Sequence, residues 1–382
     1  MAKIFDVAII GGGASGLMCA NFLDTKKMSV VIIDKDFLGK KLLVTGNGRC
    51  NLTNQNVDAE KYNTNLVKEV LKEFDKDKTL SFFKSIGIET FADDEGRYYP
   101  LSETAKDVKD ALVNNLKNVE TLKDEVQKVH KKEHFEIVLV SKEKIYAKKV
   151  VMACGNEQIK EILQDFGFKF EDSKNILTGF EVKDFDKKLM GVREDAIVKQ
   201  KDCGFYEKGQ IQFRKDGLSG IVIFNLSAQK LSCPFDIQVE FLPTISKSKL
   251  KELMYYRKTN CSNMKIKDAL IGLIKPNLAE FMLKKSKINN IERSFKDITD
   301  REIDILVNNL KEMTFVCEKT YEDCQVLSGG VDLKNLNKLE SNIKDLYFCG
   351  ESTNVFGPCG GYNLQWAFSS GYFVAKELNK KI

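Results

Sequence analysis

Phe5-Asp6-Val7-Ala8-Ile9-Ile10-Gly11-Gly12-Gly13-Ala14-Ser15-Gly16 stands near the start of this chain, and its reading decides the fold. The apolar run predicts a buried strand, and the apolar-periodic residues after Gly16 predict a helix. A second apolar run, Val30 to Ile33, ends on Asp34, 18 residues after Gly16. Strand, G-x-G-x-x-G, helix, strand and acid in that order form a βαβ unit for a dinucleotide. Gly11 permits the tight turn, and Gly13 lets backbone N–H groups approach a pyrophosphate. Gly16 lets the helix pack close to the strand. Ala14 and Ser15 open the helix, whose unpaired N–H groups and positive dipole end face the phosphates. Asp34 sits where a carboxylate accepts from a ribose hydroxyl, with Lys35 beside it. This unit alone does not separate FAD from NAD(P).

The 382 residues exceed one simple core and predict two or three domains. No apolar run reaches the roughly 18–20 residues that span a bilayer, so no membrane association is expected. Lys3 leads directly into a strand, which does not resemble a signal peptide, and the expected location is cytoplasmic. The ten cysteines are scattered, without a C-x-x-C pair. Most read as small core hydrophobes rather than a disulfide or zinc framework. The two histidines, His130 and His134, lie in the charged stretch Lys128–Glu136, read as an exposed strand. That argues against a Ser-His-Asp triad and a histidine-rich metal site, and no metal is expected. A bound cofactor must then supply the difficult chemistry.

The net charge of +5 is unevenly placed. Residues 246–296 hold 13 Lys/Arg and four acids, a local excess of +9, which leaves −4 for the remainder. A lysine-rich composition raises acids and bases together, whereas this segmental excess suggests a polyanionic partner. Lys265, Lys267, Lys284, Lys285 and Lys287 are the candidate nucleic-acid contacts.

Along the chain, residues 66–87 read as a helix ending near Gly87. Ser102 is the expected cap of a helix reaching Leu116. Strands are expected at Val119–Leu122, Val126–His130, Phe135–Ser141 and Ile145–Met152. Residues 176–242 read as strand-rich, with turns at Asp202-Cys203-Gly204 and Lys215-Asp216-Gly217. Residues 246–312 read as helical, and strands resume at 313–331. A strand at Leu346–Cys349, a glycine-rich loop and a helix from Gly361 to Leu378 close the chain. The expected architecture is α/β: a discontinuous Rossmann-like domain (1–175 and 331–382) with a β-rich domain (176–245 and 313–330) and a basic helical domain (246–312) inserted.

Two further stretches carry chemistry. Thr45-Gly46-Asn47-Gly48-Arg49-Cys50-Asn51-Leu52-Thr53-Asn54 has no hydrophobic period; its glycines permit close approach to a flat ligand, and Arg49 and the asparagines offer donors. Gly350-Glu351 ends a buried strand and places a carboxylate where ribityl hydroxyls donate. Gly357-Pro358-Cys359-Gly360-Gly361-Tyr362-Asn363-Leu364 follows and opens the last helix. That helix N-terminus faces the edge of a flavin ring that gains negative charge on reduction. Two carboxylates, Asp34 and Glu351, and two glycine-opened helices argue for one extended FAD. No second G-x-G-x-x-G follows, so NAD(P)H is expected only as a transient electron donor.

GGGASG at 11–16, TGNGRCNLTN at 45–54, GRYYPLSETAKDV at 96–108, SGGVDL at 328–333 and LYFCGE…GPCGGYNLQWAFSSG at 346–371 resemble the BaiN/YhiN-like, or aminoacetone-oxidase-like, flavoproteins. That family includes ribosomal RNA dihydrouridine synthase. The resemblance covers most of the chain. It implies FAD in a fold with a discontinuous flavin domain, a β-barrel-like domain and a small helical domain. The candidate FAD contacts carried by these blocks and the strands beside them are Gly11, Gly13, Ala14, Ser15 and Gly16; Asp34 and Lys35; Gly46, Asn47, Gly48, Arg49, Cys50, Asn51 and Leu52; Val126; Ala153, Cys154 and Gly155; Gly350 and Glu351; and Gly361, Tyr362, Asn363 and Leu364.

The chain departs from the family in three places. Ala153-Cys154-Gly155-Asn156 runs directly into a helix where relatives carry a long loop. Phe213-Arg214-Lys215-Asp216-Gly217-Leu218-Ser219-Gly220-Ile221 lacks the histidine and proline of the F-T-H-x-G-x-S-G-P pattern. Cys359 replaces the usual threonine. The activities implied are amine oxidation, steroid enone reduction, and reduction of uridine to dihydrouridine in 23S ribosomal RNA. The RNA reading comes first: the basic segment holds the backbone, an unstacked uracil enters the flavin pocket, hydride adds at C6 and an acid protonates C5. Cys50 and Cys359 are the candidate acids. A small-molecule amine oxidase or C=C reductase is the second reading, and a non-catalytic flavin-containing RNA-binding factor the third.

Overall fold

The computed structural model describes residues 3–229, 231–261 and 263–381. The elements run β1 (Ile4–Ile10), α1 (Ala14–Phe22), β2 (Val30–Asp34), β3 (Thr53–Asn54), α2 (Leu66–Glu73), α3 (Lys76–Ser85), β4 (Thr90–Ala92), β5 (Arg97–Pro100), α4 (Ala105–Asn114), β6 (Val119–Lys123), β7 (Val126–Lys131), β8 (Phe135–Leu139), β9 (Lys144–Met152) and α5 (Asn156–Ile162). They continue β10 (Phe170–Val182), β11 (Arg193–Gln200), β12 (Phe205–Arg214), β13 (Gly217–Ser219), α6 (Ile221–Ser227), β14 (Phe235–Phe241), α7 (Lys247–Asn260), α8 (Pro276–Lys285), α9 (Asp300–Glu312) and β15 (Met313–Val331). The chain closes with β16 (Leu336–Asn337), β17 (Glu340–Ser341), β18 (Leu346–Phe348) and α10 (Tyr362–Asn379). Two compact units result: residues 1–174 with 325–382, and residues 175–324. No helix among the described residues is long and apolar enough to cross a membrane.

In the first unit, β18, β9, β1, β2 and β6 lie side by side and parallel. Both faces of β1 are covered, which is why its sequence is a continuous apolar run rather than an alternation. β9 changes neighbour midway: Lys144–Ala147 pair with β8, and Val150–Met152 pair with β18. The last 50 residues thus complete the sheet that the first 34 begin. α10 crosses α1 at Gly371, where an added Cβ would lie 3.1 Å from Cys19 N.

In the second unit, β10, β13, β12, β11, β14 and β15 close a barrel. The helices of 247–312 share its hydrophobic core: Phe281 of α8 stacks on Phe315 of β15 at 6.2 Å between ring centroids. α9 opens with a reciprocal cap, in which Thr299 accepts from Glu302 N and Glu302 from Thr299 N. Lys311 at its end is 6% exposed and donates to the carbonyls of Leu242 at 3.0 Å and Ile245 at 2.6 Å.

Several local expectations change. The helix over 66–87 is two helices, because Phe74 leaves helical geometry and Asp75 caps α3 by accepting from Lys78 N at 2.9 Å. The cap before α4 is Thr104, not Ser102, since Glu103 takes a left-handed conformation between them. Within the strand-rich stretch, Ile221–Ser227 is helical, started by Gly220 at φ 103°. Only four of the ten cysteines (Cys19, Cys50, Cys317 and Cys349) are buried. His134 lies in the turn between β7 and β8, and His130 Nδ1 is 3.2 Å from Asp165.

Candidate functional site

The candidate residues converge because adjacent parallel strands end side by side. Gly11–Gly16 follow β1, Asp34 ends β2, Ala153–Gly155 follow β9, and Gly350–Glu351 follow β18. Ligands of open α/β sheets bind in the crevice beyond such carboxyl ends. An added Cβ on Gly16 would overlap the Gly11 carbonyl oxygen and lie 3.3 Å from Ala153 Cβ, so glycine there keeps α1 against the turn. Gly13 is the opposite case: an added Cβ meets nothing within 4 Å. No side chain caps α1, so the space over Gly13 is open and lined by backbone donors.

Asp34 is locked in place. One carboxylate oxygen accepts from Gly12 N at 2.6 Å and the other from Asp36 N at 2.8 Å. Each oxygen retains lone pairs for sugar hydroxyls. Asp34→Asn is expected to raise the FAD dissociation constant roughly 10- to 100-fold, the loss of about 1.5–3 kcal/mol for a charged hydrogen bond. Flavin fluorescence titration of the apoprotein checks it; unchanged affinity removes Asp34 from the site. Lys35 pairs with Glu125 at 3.5 Å, and Val126 is buried under the sheet with Ile33.

On the other side, Glu351 pairs with Lys41 at 3.1 Å, directly over Gly155. Lys41 belongs to none of the sequence motifs, so no local signal marks it. The N-cap residue of α10, Gly361, brings no capping side chain of its own to the first turn. With its amide assigned the orientation that satisfies both neighbours, Asn51 accepts from Gly361 N at 3.0 Å and donates to Thr53 O at 2.9 Å, which fixes the 45–54 loop to the start of α10. Gly361 has φ 101°, and an added Cβ would lie 2.5 Å from Thr53 O, so no other residue fits this junction.

Many named side chains are structural. Asn54 donates to Gly360 O at 3.0 Å. Asn363 accepts from Gly357 N and donates to Gly357 O, both at 3.0 Å. The Tyr362 hydroxyl donates to Asn56 O at 2.6 Å. These residues therefore offer a ligand their backbones. Leu52 and Cys50 are fully buried, and burial pushes the Cys50 thiol up to about 12 despite a hydrogen bond with Thr45. Cys154 is intermediate in exposure as a residue, but its enclosed thiol is desolvated and likewise raised to about 12. Cys359 is partly exposed, its thiol 3.7 Å from Gln325 Oε1.

Arg49 is held differently. Its guanidinium stacks 4.4 Å over the Tyr99 ring, donates to the Tyr99 hydroxyl at 3.4 Å, and pairs with Glu103 at 3.1 Å. Tyr99 is buried; burial raises its phenol above the usual range although Arg97 and Arg49 pull it down. Tyr99 and Glu103 lie inside the Gly96–Val108 block, where the aromatic pair Tyr98-Tyr99 beside a glycine is the sequence signal for this platform.

The five lysines fall in the second unit. Lys265 and Lys267 both pair with Glu292, at 2.8 and 2.9 Å, and Lys284 pairs with Asp186 at 3.0 Å. Lys285 lies 5.5 Å from the Phe281 ring centroid, and Lys287 forms no ion pair among the described residues. Elsewhere in the basic segment, Lys247, Lys251, Lys258 and Arg293 pair with Glu312, Asp304, Asp300 and Glu302. All four acids lie in α9, beyond the segment whose charge is in excess.

The open α1 N-terminus, the locked Asp34, Glu351 and the α10 N-terminus fit FAD: acceptors for its sugar hydroxyls and backbone donors for its pyrophosphate and ring edge. The family model described as "HI0933-like protein Rossmann domain" matches residues 5–377. A 3-dehydro-bile acid delta(4,6)-reductase of Clostridium scindens is 29% identical, with 98% of this chain and 99% of the relative covered. A ribosomal RNA dihydrouridine synthase of Haemophilus influenzae is 25% identical with both chains covered in full, and that of Escherichia coli is 26% identical over 98% of each.

Proposed function

The chain belongs to the HI0933-like family and is an FAD-dependent oxidoreductase, and from that premise we propose that it saturates a carbon–carbon double bond conjugated to a carbonyl, with NAD(P)H as transient donor. The observation that carries this reading is the chemistry common to the three full-length relatives. Their names describe a steroid dienone and a uracil, which are different molecules with the same electron-poor C=C. Bound FAD supplies hydride transfer between donor and acceptor. The protein's part is to hold and polarise. Asp34 and Glu351 accept from the sugar hydroxyls, and the α1 N-terminus offsets the pyrophosphate charge. The α10 N-terminus at Gly361 would favour negative charge on the flavin when FAD is bound.

For the substrate, uridine C5=C6 in 23S ribosomal RNA is the first reading, supported by Lys285 and Lys287, which form no ion pair among the described residues. A small-molecule enone is the second. It is favoured by the seven ion-paired cations of the basic segment, whose charge a phosphate backbone would have to win from Glu292, Asp186 and the acids of α9. Mass spectrometry of ribosomal RNA from a deletion strain separates them: dihydrouridine is lost on the first reading and unchanged on the second. The double variant Lys285→Ala/Lys287→Ala is expected to lower the slope of log affinity for RNA against log salt by about 2. An unchanged slope removes this face from RNA binding. Consumption of NAD(P)H with neither acceptor, in purified enzyme loaded with FAD, would sink the reductase reading itself.

A further inference from the structure

The 45–52 loop holds Arg49 at the centre of a run of left-handed backbone. Gly46 (φ 56°), Asn47 (φ 58°), Gly48 (φ 83°) and Cys50 (φ 61°) all take positive φ, two of them without being glycine. Such conformations cost of order 1 kcal/mol or more each, and they persist where the surroundings impose them. Here they project one side chain. Arg49 remains 43% exposed although its guanidinium is fixed by three contacts: the Tyr99 ring beneath it, the Tyr99 hydroxyl, and Glu103, itself at φ 48°. Tyr99 in turn lies against Gly46, where an added Cβ would approach its ring at 3.5 Å. The arrangement stands two residues before Asn51, which is tied to the N-terminus of α10.

A guanidinium stacked on a buried aromatic presents its other face and its remaining donors to a planar ligand. We propose that Arg49, on its Tyr99 platform, is the group that binds and polarises the carbonyl of the acceptor. This inference rests on the reductase reading above and names the residue that reading lacks. When hydride, drawn from a dihydronicotinamide that is thereby oxidised, adds to the β-carbon, the π pair moves through the α-carbon to the carbonyl oxygen. Arg49 meets the enolate charge there. Protonation of the α-carbon by water completes the reduction, and the α-carbon–hydrogen bond replaces the enolate double bond. Tyr99 and Glu103 are positioning residues, since they touch Arg49 rather than the acceptor. This use of the loop needs neither Cys50, which is fully buried, nor histidine.

The probe for the oxyanion is 4-nitrophenolate, a planar aromatic anion whose visible absorbance reports binding. On the FAD-loaded protein, Arg49→Gln is expected to raise its dissociation constant at least tenfold. The same change is expected to lower kcat/KM for the conjugated acceptor about 100-fold, the size of losing one oxyanion donor. Arg49→Lys keeps the charge but not the planar stack and is expected to recover only part of both. Should Arg49→Gln fail to hold FAD, Glu103→Gln and Tyr99→Leu keep the guanidinium and release it from its platform. Each is then expected to weaken nitrophenolate binding three- to tenfold. Wild-type-like probe binding in Arg49→Gln, or in both platform variants, overturns the inference. A wild-type protein that binds the probe through Arg49 but reduces no enone or uridine overturns the reductase reading and leaves the oxyanion site standing.

Discussion

Gly16→Val is expected to purify without FAD and with the first unit destabilised by about 3 kcal/mol or more. The reason is geometric. Any Cβ at this position overlaps the Gly11 carbonyl oxygen, lies 3.2 Å from Gly11 C and 3.3 Å from Ala153 Cβ, so α1 must move off the ends of β1 and β9. That movement withdraws the backbone donors from the pyrophosphate site and opens the core around Leu17 and Met18. Gly13→Ala is the matched control, because its methyl meets nothing within 4 Å of the protein. It is expected to keep the fold and weaken FAD by crowding the phosphate alone. The ratio of flavin to protein absorbance and thermal melts read both. A Gly16→Val protein that retains stoichiometric FAD would refute the account.

Lys311→Met is expected to destabilise the second unit by about 3 kcal/mol, the scale of breaking a buried ion pair from one side. Lys311 is buried, 3.0 Å from Glu240, and donates to three carbonyls at the end of β14 and the turn that follows. Methionine fills the volume but takes a donor from all three carbonyls, of which Leu242 O keeps Ile245 N at 3.1 Å, and Glu240 keeps Lys199 at 2.8 Å. For about 150 residues this corresponds to a melting shift of roughly 6–12 °C. The same cluster sets a pH dependence. Burial raises the Glu240 carboxyl, but the hydrogen bonds from Lys199 and Lys311 outweigh it and hold it below the usual carboxylate range. A depressed carboxylate contributes stability above the unfolded value of about 4.3, and that contribution is lost as pH falls through the lower folded value. Melts between about pH 7 and pH 3 are expected to show this acid loss in the wild type and a smaller one in Lys311→Met. A melting temperature within about 2 °C of wild type at neutral pH would remove the cluster's role.

The flavin half of the molecule is largely legible in the amino-acid sequence. The strands at 4–10, 30–34 and 346–348 are buried on both faces over most of their length, as is the Val150–Met152 end of the strand at 144–152, and continuous apolar runs announce such strands. The crevice follows from glycines and acids at their carboxyl ends. Less legible is where helices begin. The Phe74 break and the Thr104 cap depend on single residues whose alternatives, such as Ser102, are chemically as suitable. α6 is hidden because Ile221–Ser227 is a short apolar run, and strand and helix share that pattern.

The site divides along the same line. Backbone demands are local: Gly16 and Gly361 are required by close approach and φ, and short motifs record them. The availability of a side chain is not local. Asn54 is engaged by Gly360, 306 positions away, and Asn51 by Gly361; the Lys/Arg excess of 246–296 meets its counter-charges in α9. Composition counts charges but does not know their partners. The sequence by itself therefore determined the cofactor and the sheet that carries it, because both rest on backbone geometry encoded residue by residue. Only the tertiary structure decided which named side chains remain open to a ligand. Within the 45–54 loop Asn51 and Asn54 are engaged by backbone groups, whereas the exposed Asn47 and Arg49 on Tyr99 stay accessible, because ion pairs and hydrogen bonds are settled between segments that only folding brings together.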